Sequence, residues 1–129
     1  MPTFTLASFN ICSAHFREGH YTEDNLHRLA EQITQSGADV VCLQEVDRGA
    51  ARSDRVDMPA YLSEHTELKH HYFIKIRDFQ GGEYGTAILS RYPITDAKTL
   101  NYPVTVATQG TSCGYAVLDV EGMPVTVFN

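Results

Sequence analysis

Apolar and polar positions alternate through "TFTLASFNI", a run rich in β-formers, so residues 3–11 are expected to form a strand. The period then changes. Leu26, Leu29, Ala30 and Ile33 recur at i, i+3, i+4 and i+7, the inward stripe of an amphipathic helix. Thr22 stands where its hydroxyl can cap that helix, Glu23 and Asp24 put negative charge at its positive end, and Gly37 can close it. The next segment, "DVVCLQEV", is continuously apolar rather than alternating, as in strands covered on both faces. Strand, helix and strand make a βαβ unit, with parallel strands and a right-handed crossover.

Further along, "MPAYLSEHTEL" at 58–68 carries an early proline with apolar Tyr61, Leu62 and Leu68, which predicts a second, shorter helix. "HHYFIKIRDF" and "EYGTAILSRYPI" flank Gly81 and Gly82 and predict a hairpin. Pro93 and Pro103 punctuate the next stretch, and "CGYAVLDVEGMPVTVFN" predicts a second hairpin turning at Glu121 to Pro124. The order specifies a mixed α/β (α+β) class, a sheet backed by helices, and 129 residues suit one domain.

Charge and cysteine content narrow the partners. Ten Lys and Arg against sixteen Asp and Glu leave a net charge of −6, which disfavours a long polyanion such as nucleic acid. Arg48, Arg52 and Arg55 gather in "EVDRGAARSDRVD", but acids surround them, as in a solvated loop. Cys12, Cys42 and Cys113 are odd in number and widely spaced, which predicts free thiols rather than a disulfide framework or a zinc knuckle. No apolar stretch approaches the roughly 20 residues of a membrane helix, and the N-terminus lacks the layout of a signal peptide, so a cytoplasmic location is expected.

Candidate chemistry comes from the βαβ unit, because parallel strands bring their carboxyl ends to one edge, where open α/β sheets hold ligands. Asn10 ends the first strand there, and Gln44 and Glu45 end the second. An acid directly after "VVCLQ" either emerges into water or is offset by a cation or a hydrogen-bond network; spacing alone leaves both readings open. Mg²⁺ suits the second, since it takes one or two carboxylates and leaves positions for water and phosphate. The six histidines are at neither metal-ligand nor triad spacing and are expected in surface or packing roles. Ser90 is not in a nucleophile elbow, and "GGEYG" reads as a hairpin turn rather than a phosphate cradle.

Taken together and in order, "ASFNI", "GADVVCLQEVD", "RSDRVDMPAYLSEHTEL", "GGEYGTAILSRYPI" and "GMPVTVFN" closely resemble the first half of the endonuclease/exonuclease/phosphatase family. The resemblance implies that residues 1–129 form a partial domain, about half of a four-layer α/β/β/α sandwich. It implies Mg²⁺ or Mn²⁺ as cofactor, Glu45 as metal ligand with Asn10 beside it, and hydrolysis of a phosphoester. Arg52 and Tyr84 are implied substrate contacts, as is Asn129, from which relatives continue into a "THL" stretch. Thr86 stands where many relatives have Asn.

Relatives supply a later catalytic His and Asp, which the 129 residues do not contain after "VTVFN". If each half of the family sequence builds one sheet, an apolar sheet face is left uncovered here. The chain is then expected to self-associate as a homo-oligomer or to pair with a complementary C-terminal half. A non-catalytic half-domain that associates through this face is the alternative to a hydrolase, and a new fold built by strand exchange is a third possibility.

Overall fold

The computed structural model describes residues 2–16, 19–102 and 111–129. Pro103 lies outside them. Strand β1 (Leu6–Asn10) leads through a short turn at Cys12–Ala14 into helix α1 (Glu23–Ser36) and strand β2 (Val40–Arg48). A turn at Ala51–Ser53 precedes helix α2 (Met58–Glu64), and five strands complete the chain: β3 (His70–Phe79), β4 (Gly82–Ser90), β5 (Ile94–Asn101), β6 (Ser112–Val120) and β7 (Met123–Phe128).

The start and stop signals of α1 act as the sequence predicts. Thr22 Oγ1 accepts the Asn25 N–H at 3.1 Å, and Gly37 closes the helix with a left-handed φ of 68°. Leu26, Leu29, Ala30 and Ile33 are all buried. Helix α2 ends at Glu64, short of the expected Leu68. The Thr66 hydroxyl donates to Leu62 O, the carbonyl that another helical turn would have used, and the Ser63 hydroxyl donates to Leu68 O and ties down the segment that follows, each at 2.7 Å.

Among the described residues, seven strands form two sheets. One is ordered β1-β2-β4-β3, with β1 and β2 parallel and the other pairs antiparallel; the second is ordered β5-β6-β7 and is antiparallel throughout. On one face of the first sheet, Val41, Leu43, Phe73, Ala87 and Leu89 pack against Leu26, Leu29, Ile33, Met58 and Leu62 of the helices. On the other, Val40, Cys42, Ile74 and Ile88 pack against Ala116, Leu118, Val120 and Val127 of the second sheet. Both faces of β2 are therefore covered, which is what its unbroken apolar run requires.

This corrects one expectation. The chain does not build a single sheet with a bare inner face, because β5, β6 and β7 supply a second sheet that covers it. What remains open is lateral. The Tyr72 hydroxyl meets Thr99 Oγ1 at 2.7 Å and sets β3 beside β5, while β1 and β7 each pair on one side only. Leu6 on β1 and Phe128 on β7 are 50% and 60% exposed. No helix among the described residues is long and apolar enough to cross a membrane.

Candidate active site

Glu45 owes its position to a break in the ladder. Leu43 pairs with Ala87 and Val46 with Gly85, so β2 carries one residue more than β4 between those pairs. The bulge holds Glu45 at φ 55°, a left-handed conformation that costs a non-glycine residue about 1–2 kcal/mol. Such strain persists only where neighbours enforce it. Here the Ser13 hydroxyl donates to Glu45 O at 3.0 Å, sharing its single proton with Asp47 Oδ1 at the same distance.

Asn129 secures the strand just before the bulge. Its Nδ2 donates to Leu43 O and Ala87 O at 3.0 and 2.9 Å, and its Oδ1 accepts from Gln44 Nε2 at 3.0 Å. Gln44 Nε2 also reaches Ser8 Oγ on β1 at 3.2 Å. The amide of Asn129 is thus spent inside the sandwich, holding backbone.

Glu45 opens onto a cavity of about 410 Å³ whose walls include Cys12, Ser13, His15, Arg52, Arg77 and Tyr84. One wall is the turn at Cys12–Ala14, in which three consecutive residues take positive φ of 48°, 47° and 58°. Asn25 Nδ2 ties that turn to α1 through Ala14 O at 3.2 Å. His15 Nδ1 lies 2.6 Å from Ser13 O; a carbonyl can only accept, so Nδ1 carries the proton and fixes the ring. Burial and the nearby Glu45 carboxylate push the Cys12 thiol up, which keeps it protonated.

The opposite wall rests on Asp47, which is fully buried. Arg52 grips it with two parallel bonds, Nε to Oδ2 at 2.8 Å and Nη2 to Oδ1 at 2.9 Å, and the Ser53 hydroxyl adds a third at 2.5 Å. Burial alone would raise the Asp47 pKa, but Arg52, Ser53 and Ser13 more than offset it and hold the carboxyl below its ordinary value. The Arg52 guanidinium lies 4.5 Å from the Phe79 ring centre, and that of Arg77 lies 4.9 Å from the Tyr84 ring centre. Burial and then Glu45 push the Tyr84 phenol up, so it faces the cavity as a donor.

The endonuclease/exonuclease/phosphatase family model matches residues 7–125. The chain belongs to this family. No curated protein matches it. Among solved structures, a family member from Beutenbergia cavernae aligns at a TM-score of 0.79 and 21% identity, over 99% of this chain and 38% of that one. A Bacteroides thetaiotaomicron mannosyl-6-phosphatase aligns at 0.69 and 15%, over 98% and 51%. TDP2 from C. elegans aligns at 0.67 and 17%, over 98% and 34%. The chain spans about one third to one half of these relatives, and at such identities they share its fold.

Of the family residues anticipated from sequence, Glu45, Arg52 and Tyr84 converge on one cavity. Asn10 sits outside its lining, opposite Gln44, with its Oδ1 accepting the Cys12 N–H at 3.0 Å; it touches the site through that turn. Asn129 faces the sheets rather than the cavity. His15, expected on the surface or in packing, lines the cavity. Ser13 and Arg77 stand in no quoted family motif, and Asp47, although it closes "GADVVCLQEVD", is not singled out there as a site residue.

The donor set bears on the metal. Among the described residues no three His, Cys, Asp or Glu side chains cluster, and Asp47 is committed to Arg52. The Glu45 carboxylate and the Cys12 thiol are fewer than the three or four protein ligands, mostly N or S, that zinc takes. They fit a hard divalent cation that keeps most of its coordination for water and phosphate.

Proposed function

We propose that the chain forms the first part of a metal-dependent phosphoester hydrolase domain. The observation that carries this reading is Glu45, held in a strained bulge at the cavity floor, facing Arg52 and Tyr84. A mid-strand acid in that conformation is intelligible as a ligand and hard to explain as packing. Glu45 would hold Mg²⁺ or Mn²⁺, which when bound neutralises phosphate oxygens. Asn10 keeps the Cys12 turn against Glu45, and Arg52 and the Tyr84 hydroxyl orient the phosphoester. The general acid and base that activate water belong to the rest of the domain. An overall charge of −6 favours a small phosphoester over long nucleic acid.

Calorimetric titration with Mg²⁺ and Mn²⁺ tests the assignment. Outer-shell partners of a metal are worth about 10–100-fold in affinity, so Glu45→Gln is expected to weaken binding at least that much. Equal affinity in the variant removes Glu45 from its role.

The open edges of β1 and β7 support a proposal about the partner. We place the remaining strands of a family-length domain on β1 and β7, where Leu6 and Phe128 are exposed. Alone, the 129-residue chain is expected to associate with rising concentration through these edges, and Leu6→Lys with Phe128→Lys to suppress it. Light scattering from a monomer at every concentration overturns this placement.

A further inference from the structure

We propose that a second cavity, between the start of α1 and the loop leading into α2, binds an organic cation: an ammonium group carried on a short apolar stem. The cavity has a volume of about 280 Å³ and is lined by Tyr21, Glu23, Asp54, Val56 and Tyr61. None of these lines the Glu45 cavity, so the site does not depend on the phosphoester reading. The volume is just below the usual range of small-molecule pockets, which suits a small amine or a single lysine side chain.

Two of the lining residues are acids, both exposed, and no lining residue is basic. Glu23 opens α1, where the helix start by itself favours an acid. Asp54 has no such reason for its place. It follows the turn at Ala51–Ser53 with a left-handed φ of 52°, and that turn sends Arg52 to the Glu45 cavity and Asp54 to this one. Among the described residues neither carboxylate enters an ion pair. The arginines nearest in sequence among them are engaged elsewhere, Arg28 with Asp24 and Arg55 with Gly49 O and Gln80 O.

The aromatic walls supply the second observation. Tyr21 is only 9% exposed, yet its hydroxyl has no hydrogen-bond partner among the described residues, whereas a buried phenol normally finds one. Burial, then Glu23, Asp54 and Tyr61, push the Tyr21 phenol up, and no cation among the described residues opposes them. At Tyr84, by contrast, Arg77 and Arg52 pull the other way. The Tyr21 oxygen is thus a neutral acceptor in an uncompensated negative field. His65 stacks on Tyr61 with ring centres 4.0 Å apart, and its Nδ1 donates to Tyr61 O at 2.8 Å, which steadies that ring. An ammonium placed here gains attraction from the rings, finds acceptors in the Tyr21 oxygen and the two carboxylates, and leaves its stem to Val56.

NMR titration of the 129-residue chain with n-butylammonium, n-butanol and butyrate tests the site. n-Butylammonium is expected to bind with a Kd on the order of millimolar and to shift the amide signals of the five lining residues. n-Butanol, which keeps the stem without the charge, and butyrate should bind about tenfold more weakly or not at all. Glu23→Gln combined with Asp54→Asn should weaken n-butylammonium about threefold to thirtyfold, and Tyr21→Phe, which keeps the ring, about tenfold. These variants conserve size, and Asn tolerates the left-handed backbone at position 54, so the fold is retained.

Absent shifts, shifts away from this cavity, equal binding of n-butanol, or unchanged affinity in both variants overturns the site. A pentapeptide with one lysine among glycines then distinguishes the sources of the cation. Tighter binding than n-butylammonium supports a lysine of a partner chain, and failure of the peptide where n-butylammonium binds supports a free amine.

Discussion

Replacing Arg52 with Ala is expected to destabilise the chain by about 3 kcal/mol, and to reverse the way Asp47 responds to pH. Asp47 is fully buried, whereas the Arg52 side chain is 35% exposed, so the damage is done by the carboxylate left behind. Removing one partner of a fully buried pair costs about 3–5 kcal/mol, and the partial exposure of Arg52 puts this case at the lower end. In wild type the Asp47 pKa is depressed in the folded state. Its contribution is present above the unfolded value of 3.8 and is lost as pH falls through the lower folded value.

Without Arg52, burial dominates and the folded pKa rises above the unfolded one. The protonated form is then the compatible one, and stability is lost as pH rises through the raised value. Urea denaturation at pH 7 and at about pH 4.5 checks this. The gap between wild type and variant should narrow on acidification; a gap independent of pH would mean that Asp47 is not the group left uncompensated.

Gly85→Ala is expected to cost about 3 kcal/mol or more and to disturb both sides of the cavity at once. A Cβ at Gly85 would fall on Ile74 O of the adjacent strand and within 3.0 Å of Phe73 Cζ. Overpacking against mobile side chains costs about 1–3 kcal/mol, but a backbone carbonyl inside a ladder cannot turn aside. Strand β3 has a bulge of its own at Ile76, between Lys75 paired with Gly85 and Arg77 paired with Tyr84. Gly85 is also where the two bulges meet, since it pairs with Val46 on one flank and Lys75 on the other. Its missing side chain lets β3 close in, and Glu45 and Arg77 take their places on either side. Gly122→Ala is the control. It has φ 88° but nothing within 4 Å of a Cβ, so it should cost only about 1 kcal/mol of backbone strain. Thermal melts and Mg²⁺ titration of both variants check the pair; equal losses would rule out the clash at Gly85.

The elements legible from sequence were those whose signal is local. Thr22, the stripe from Leu26 to Ile33, and Gly37 define α1 within one short segment, and the unbroken run of β2 states that both its faces are covered. The second sheet was harder to see. Strand β5 is an edge strand of mostly exposed residues such as Asp96 and Lys98, with no apolar alternation to mark it. Nothing local states that β5, β6 and β7 fold over the first sheet.

Within the site, Glu45, Arg52 and Tyr84 were named through motifs of the family. Asp47 was hidden because its burial depends on Ser13, Arg52 and Ser53 arriving from other segments. Arg77 was hidden because one bulge residue decides which face it takes. Of the three clustered arginines, Arg48 pairs with Glu83 and Arg55 donates to Gly49 O and Gln80 O, so only Arg52 reaches the cavity.

The clamp made by Asn129 also sets an order in time. Residues 6–90 contain every strand of the first sheet, both bulges and all the described residues that line the cavity. The amide that grips Leu43 O and Ala87 O, however, comes from 86 and 42 positions downstream. A ribosome therefore delivers Glu45 long before it delivers the group that steadies the strand beneath it. Distant contacts close slowly because their loops must be ordered first. The nascent chain can complete its helices and its first βαβ unit early, while the floor of the cavity takes its final form only when residue 129 clears the exit tunnel.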